Sequence, residues 1–148
     1  MKKLICLALG LSTAGGILAR AAETSGQPSA PDALAWLKRV DGELKKSSLA
    51  DLTLDQLATR TEITLGGHRK TDGKHLNIPA AQFHHLAALP ALRRLVLWEN
   101  DGVTDAGLMH LQTCPALRTV VLNKKTGVTP EGLAEFRRRR PDCQVVLK

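Results

Sequence analysis

Aromatic side chains are scarce: there is no tyrosine, and only Trp36, Phe83, Trp98 and Phe136 carry rings other than histidine. Four scattered rings make a stacking platform for nucleic acid improbable, and no nucleic-acid partner is expected. Apart from the N-terminal segment, no stretch approaches the roughly 18 apolar residues of a membrane span. Sequence patterns for nucleophilic, metal-hydrolytic, phosphate-binding or paired-carboxylate chemistry are missing too, since G-x-S-x-G, H-E-x-x-H and the Walker-type loop do not occur. Gly66-Gly67 has no glycine-rich or Gly-Lys continuation, and the acidic residues are scattered among turns and helix starts. The expectation is a non-catalytic protein without cofactor or metal. What is present, 43% hydrophobic and 24% charged residues in 148, is the balance of one soluble globular domain.

Residues 1–21 have the layout of an export signal: Lys2 and Lys3, an apolar run from Leu4, then Ala19-Arg20-Ala21 as a small-x-small cleavage site. Export to a periplasm, the cell surface or the medium is expected, with Cys6 too early for a lipoprotein acceptor. Loss of Lys2, Lys3 and Arg20 would leave 18 basic against 14 acidic residues, so the net charge falls from +7 to +4. Residues 22–30 are polar and small and predict a flexible linker. From Pro31 to Lys46, Leu34, Leu37, Val40 and Leu44 recur at helical spacing, with Trp36 on the flank and Asp41 on the charged side. Such a helix must dock on something.

The C-terminal half repeats itself at an offset of 25. Leu92-x-x-Leu95-x-Leu97 returns as Leu117-x-x-Val120-x-Leu122, and Val103-Thr104-Asp105-Ala106-Gly107-Leu108 returns as Val128-Thr129-Pro130-Glu131-Gly132-Leu133. Val145-x-Leu147 opens a further copy. Each unit alternates apolar residues at period two, turns, and continues at helical spacing, which predicts one strand and one helix. Thr104 and Thr129 stand at helix N-caps and Pro130 at a first helical position. Cys114-Pro115 and Arg140-Pro141 end the helices. Upstream, Thr53 and Gln56 suit a capping box before a short helix to Thr59, and Ile63-Thr64-Leu65 a first strand. A Gly- and Lys-rich loop, Gly66 to Lys74, adds about seven residues to that unit. Units of this kind close their core only against neighbours.

Leu92, Leu95, Leu97, Asn100, Val103, Thr104, Asp105, Gly107, Leu108, Leu111, Cys114, Pro115 and Leu117 resemble the cysteine-containing subtype of the leucine-rich repeat family. The resemblance spans roughly Leu49 to Lys148 and departs at His75 and Lys125, which replace the Asn seen at Asn100. It implies an α/β fold: a short solenoid of about three repeats, parallel strands on a concave face, helices on the convex side and residues 31–48 as an N-terminal capping helix. The x positions of the strands would then point outward, placing Glu62, Thr64 and Gly66 beside Arg94, Val96 and Trp98, then Thr119, Val121 and Asn123, then Gln144, Val146 and Lys148. An outward apolar column of Thr64, Val96, Val121 and Val146 next to Trp98 suits a protein-binding face, with Arg94, Val96, Trp98, Thr119, Val121 and Asn123 as contact residues. A second possibility is an envelope-associated protein whose Arg137, Arg138, Arg139 and Arg140 rest on an anionic polymer. The last strand, Cys143 to Lys148, offers an edge for self-association.

Two further groups carry weaker expectations. His85 and His110, 25 apart with His84 beside them, stack on neighbouring helices; they read as solvent-facing side chains, with metal binding as the alternative. His68 and His75 read as loop residues of the insert. Cys114 and Cys143 are either buried as small apolar groups or, after export, bridged to each other.

Overall fold

The computed structural model describes residues 27–44, 49–123 and 126–148. The expected export signal and most of the expected linker lie outside these residues. The first helix, α1, runs Ala30–Glu43 and starts inside the expected linker because Ser29 and Asp32 form a reciprocal capping box. Its buried face holds Ala33, Trp36, Leu37 and Val40, while Leu34 is only partly covered. The face is thus rotated from the expected stripe towards Trp36. The indole accounts for this: it brings the largest apolar surface, and its Nε1–H finds Gln82 Oε1 at 2.9 Å. Asp41, expected on the charged side, is buried and accepts a hydrogen bond from the Leu49 backbone at 3.1 Å.

Helix α2 (Leu54–Thr59) opens with the capping box expected of Thr53 and Gln56. Four strands follow: β1 (Glu62–Gly66), β2 (Arg94–Trp98), β3 (Thr119–Leu122) and β4 (Gln144–Leu147). They form one parallel sheet in the order β1-β2-β3-β4, so the chain is α/β. A 3-10 helix (Ala80–Ala88), α3 (Asp105–Leu111) and α4 (Pro130–Arg139) connect successive strands. Pro79 begins the first of these without a side-chain cap, whereas the Thr129 hydroxyl accepts from Gly132 N at the start of α4.

Register carries the repeat directly into space. Arg94 pairs with Thr119 and Thr119 with Gln144, steps of 25 residues each. Glu62 pairs with Arg94, a step of 32, so the difference of seven is the insert after β1. Alternate strand residues, Ile63, Leu65, Leu95, Leu97, Val120, Leu122 and Val145, join Phe83, Leu86, Leu108, Leu111, Leu133 and Phe136 in one buried cluster. α1 adds Trp36, Leu37 and Val40 to it. No described helix is long and apolar enough to cross a membrane.

Neighbouring connections are clamped where the sequence repeats Gly two residues after Asp105 and Pro130. The Asp105 carboxylate accepts from Thr129 N at 2.9 Å and from the Thr129 hydroxyl at 2.7 Å, tying α3 to the cap of α4. A Cβ at Gly132 would stand 2.0 Å from Asp105 Oδ1, so the glycine is a space requirement of this clamp. Replacing Gly132 with Ala should cost about 1–3 kcal/mol of overpacking despite the better helix propensity of alanine. In an Asp105→Ala background the same change should cost nothing or stabilise, which denaturant unfolding of the double-mutant cycle measures.

Candidate binding surface

The sheet face opposite the core carries the residues that the alternation predicts, paired rung by rung: Glu62 with Arg94 and Thr119, then Thr64 with Val96 and Val121. Its exposure differs from expectation. Val96 and Val121 are outside the core cluster yet only 4% and 3% exposed, so the apolar column is not an open patch. Val96 and Val121 lie in the middle rung of the two central strands, with a strand on each side and the side chains of a further rung both above and below them. What remains accessible is the perimeter. Trp98 is 36% exposed, Arg94 is exposed and lies 3.8 Å from the Glu62 carboxylate, and Thr119 is half-buried. Asn123 lies one residue past β3 and is half-buried.

The basic run is mostly occupied. Arg138 and Arg139 share Glu135, at 2.6 Å each, and these guanidinium groups hold its carboxyl below the usual range. Arg140 is turned inward: its guanidinium donates to the carbonyls of Gln112, Cys114 and Leu117 at 2.8–2.9 Å and pairs with Asp142. Gln112 is the C-cap of α3, so Arg140 satisfies a carbonyl at that helix end together with two in the segment leading to β3. Among the described residues, Arg137 alone of the four has no hydrogen-bond or ion-pair partner. Arg140→Met should therefore lower stability by about 2–3 kcal/mol, since it strips a charged donor from three carbonyls. Arg137→Met should stay within about 0.5 kcal/mol, and thermal melts of the two variants distinguish them.

Histidines divide into two groups. His85 is not simply solvent-facing: it stacks on Trp36 with ring centroids 5.3 Å apart, is half-buried, and its Nδ1 is buried without a partner. His84 lies 4.1 Å from it and 6.4 Å from the His110 ring, so His84 stands between the two residues expected to stack. Burial, with His84 and Arg39 adding like charge, holds the His85 pKa below the usual histidine range, and Asp32 of α1 opposes this weakly. The unfolded chain then binds more protons than the folded one between the two pKa values. Stability from this group is present above about pH 6.5 and falls as pH drops below it. Between pH 7 and pH 5 the melting temperature of the wild type should fall further than that of His85→Phe, as thermal melts across pH would show.

The second group was missed by sequence reasoning. The insert folds back so that His68 and His75 are antiparallel partners, with ring centroids 5.0 Å apart. Both turn to Glu99, the residue after β2: His68 Nε2 is 3.7 Å and His75 Nδ1 4.0 Å from Glu99 Oε2. The available signal was a pair of histidines seven apart around Asp72-Gly73, a turn sequence, but nothing in the sequence brings in Glu99. Cys114 and Cys143 are free and buried, which corrects the bridged alternative; burial pushes the Cys114 thiol up to about 12. Comparison with family models, curated proteins and solved structures finds no match to this chain.

Proposed function

We propose that the chain is a short leucine-rich repeat solenoid, exported and non-catalytic, that binds a protein partner through the strand face opposite its core. The observation that supports this best is Trp98, a large ring left 36% exposed at the end of a central strand. An exposed tryptophan at one end of β2, with Arg94 at the other end and close-packed Val96 between them, has the composition of an interface hot spot. The 25-residue register and the helix-strand alternation favour the repeat assignment. The anionic-polymer alternative is weaker, because Arg140 is committed internally and Arg138 and Arg139 to Glu135.

The test is capture from envelope and culture-fluid fractions by residues 22–148, wild type against Trp98→Ala, with melts run in parallel. A protein held by wild type and bound at least about 30-fold more weakly by Trp98→Ala, at unchanged stability, supports the proposal. Equal loss of stability makes Trp98 a core residue. Salt-sensitive capture that survives Trp98→Ala and is lost with Arg137→Ala moves the site to the basic helix.

A further inference from the structure

We infer that His68, His75 and Glu99 form a binding site for a divalent transition-metal ion of the zinc class, at the end of β2 next to Trp98. One ligand atom from each lies within 4.8 Å of the other two, and each residue comes from a different point of the chain. Two imidazoles and one carboxylate are a donor set suited to zinc and its neighbours, with a coordination position left for water or a partner's side chain.

The hydrogen bonding separates this from a casual surface cluster. His68 Nδ1 is 2.6 Å from the Gly73 carbonyl, an acceptor, so the proton of a neutral His68 resides on Nδ1. Its Nε2 then presents a lone pair towards the Glu99 carboxylate, an acceptor facing an acceptor. Anchoring one ring nitrogen on a backbone carbonyl while the other coordinates is the usual arrangement of a metal-bound histidine. At 3.7 and 4.0 Å the nitrogens are too far from Glu99 Oε2 for a good hydrogen bond. Ligand atoms around a tetrahedral ion with bonds of about 2.0–2.1 Å stand about 3.4 Å apart, so each histidine closes on Glu99 by about half an ångström or less and the widest separation, within 4.8 Å, closes through rotation of these exposed side chains.

The backbone holds the three donors in place. Arg69 N donates to Lys74 O at 2.9 Å and Leu76 N to Gly67 O at 3.0 Å, fixing the turn that sets the two histidines opposite one another. Lys70 N donates to Glu43 O at 2.8 Å, securing the same turn to the end of α1. Gly66, at φ +152°, enters the turn so close to β2 that a Cβ would lie 1.8 Å from Trp98 O. Glu99 itself has φ +45°, an unusual conformation for a non-glycine residue, and it turns the carboxylate's residue out of the strand line.

The experiment is calorimetric titration of Zn²⁺ into residues 22–148, purified without a histidine tag, with Mg²⁺ as the comparison ion and Co²⁺ absorption as a second readout. One Zn²⁺ per chain, no Mg²⁺, and a melting temperature raised by about 5 °C at saturation are expected. His75→Gln and Glu99→Gln should each weaken Zn²⁺ binding by about tenfold or more while the metal-free melt is unchanged, because these side chains are exposed or half-exposed. His110→Gln should bind as wild type does. Absence of saturable Zn²⁺ binding overturns the inference, as does binding that is unaffected by His75→Gln and Glu99→Gln but lost with His110→Gln.

Discussion

Everything in this chain depends on one constraint: no strand-helix unit can bury its own apolar face, so each must be stacked in register on the next. The 25-residue step is what makes that register possible, because it returns the same side chain to the same column of the parallel sheet. The clamps between units follow from it. Asp105 reaches Thr129 and Arg140 reaches three carbonyls between α3 and β3 because stacking brings homologous turns side by side. Gly132 is small for the same reason, as its neighbour's carboxylate occupies the space of a side chain.

Stacking also decides what a partner could meet. On the core side it buries alternate strand residues against the helices; on the other side it hides the centre of the middle rung among its neighbours. Val96 and Val121 disappear in this way although no core residue covers them. The accessible chemistry is displaced to the strand ends, Arg94 with Glu62 at one and Trp98 at the other. A binding surface built on this sheet is therefore a frame of polar and aromatic groups around a flat apolar floor.

The periodic parts were legible. Strand positions, the Thr53 and Thr129 caps and the length of the insert all follow from local pattern, because they depend on residues close in sequence. Quantities that depend on three-dimensional neighbours were not. Ser29 extends α1 into the expected linker, Asp41 is buried against Leu49, and His85 is half-buried by stacking on Trp36. Arg140 showed the sharpest limit. A run of four arginines reads as a charged patch, but the fourth caps the end of α4 with non-helical backbone and turns towards carbonyls that only the preceding unit provides.

The insert matters because it breaks the period by an odd number. Seven residues absorbed within a strand would exchange its two faces and send Ile63 and Leu65 out of the core, since side chains alternate at every residue. The register from Glu62 to Gly66 shows that they are not absorbed. They have to leave the stack at the end of β1, and Gly66 provides the exit at a φ of +152°. Leaving there puts the turn beside the end of β2, where Trp98 and Glu99 already lie, and folding it back sets His68 opposite His75. The regular part of the sequence thus makes a scaffold whose positions are interchangeable from unit to unit. The irregular part concentrates titratable and aromatic side chains at a single strand end, and that is where the chemistry of this protein is to be sought.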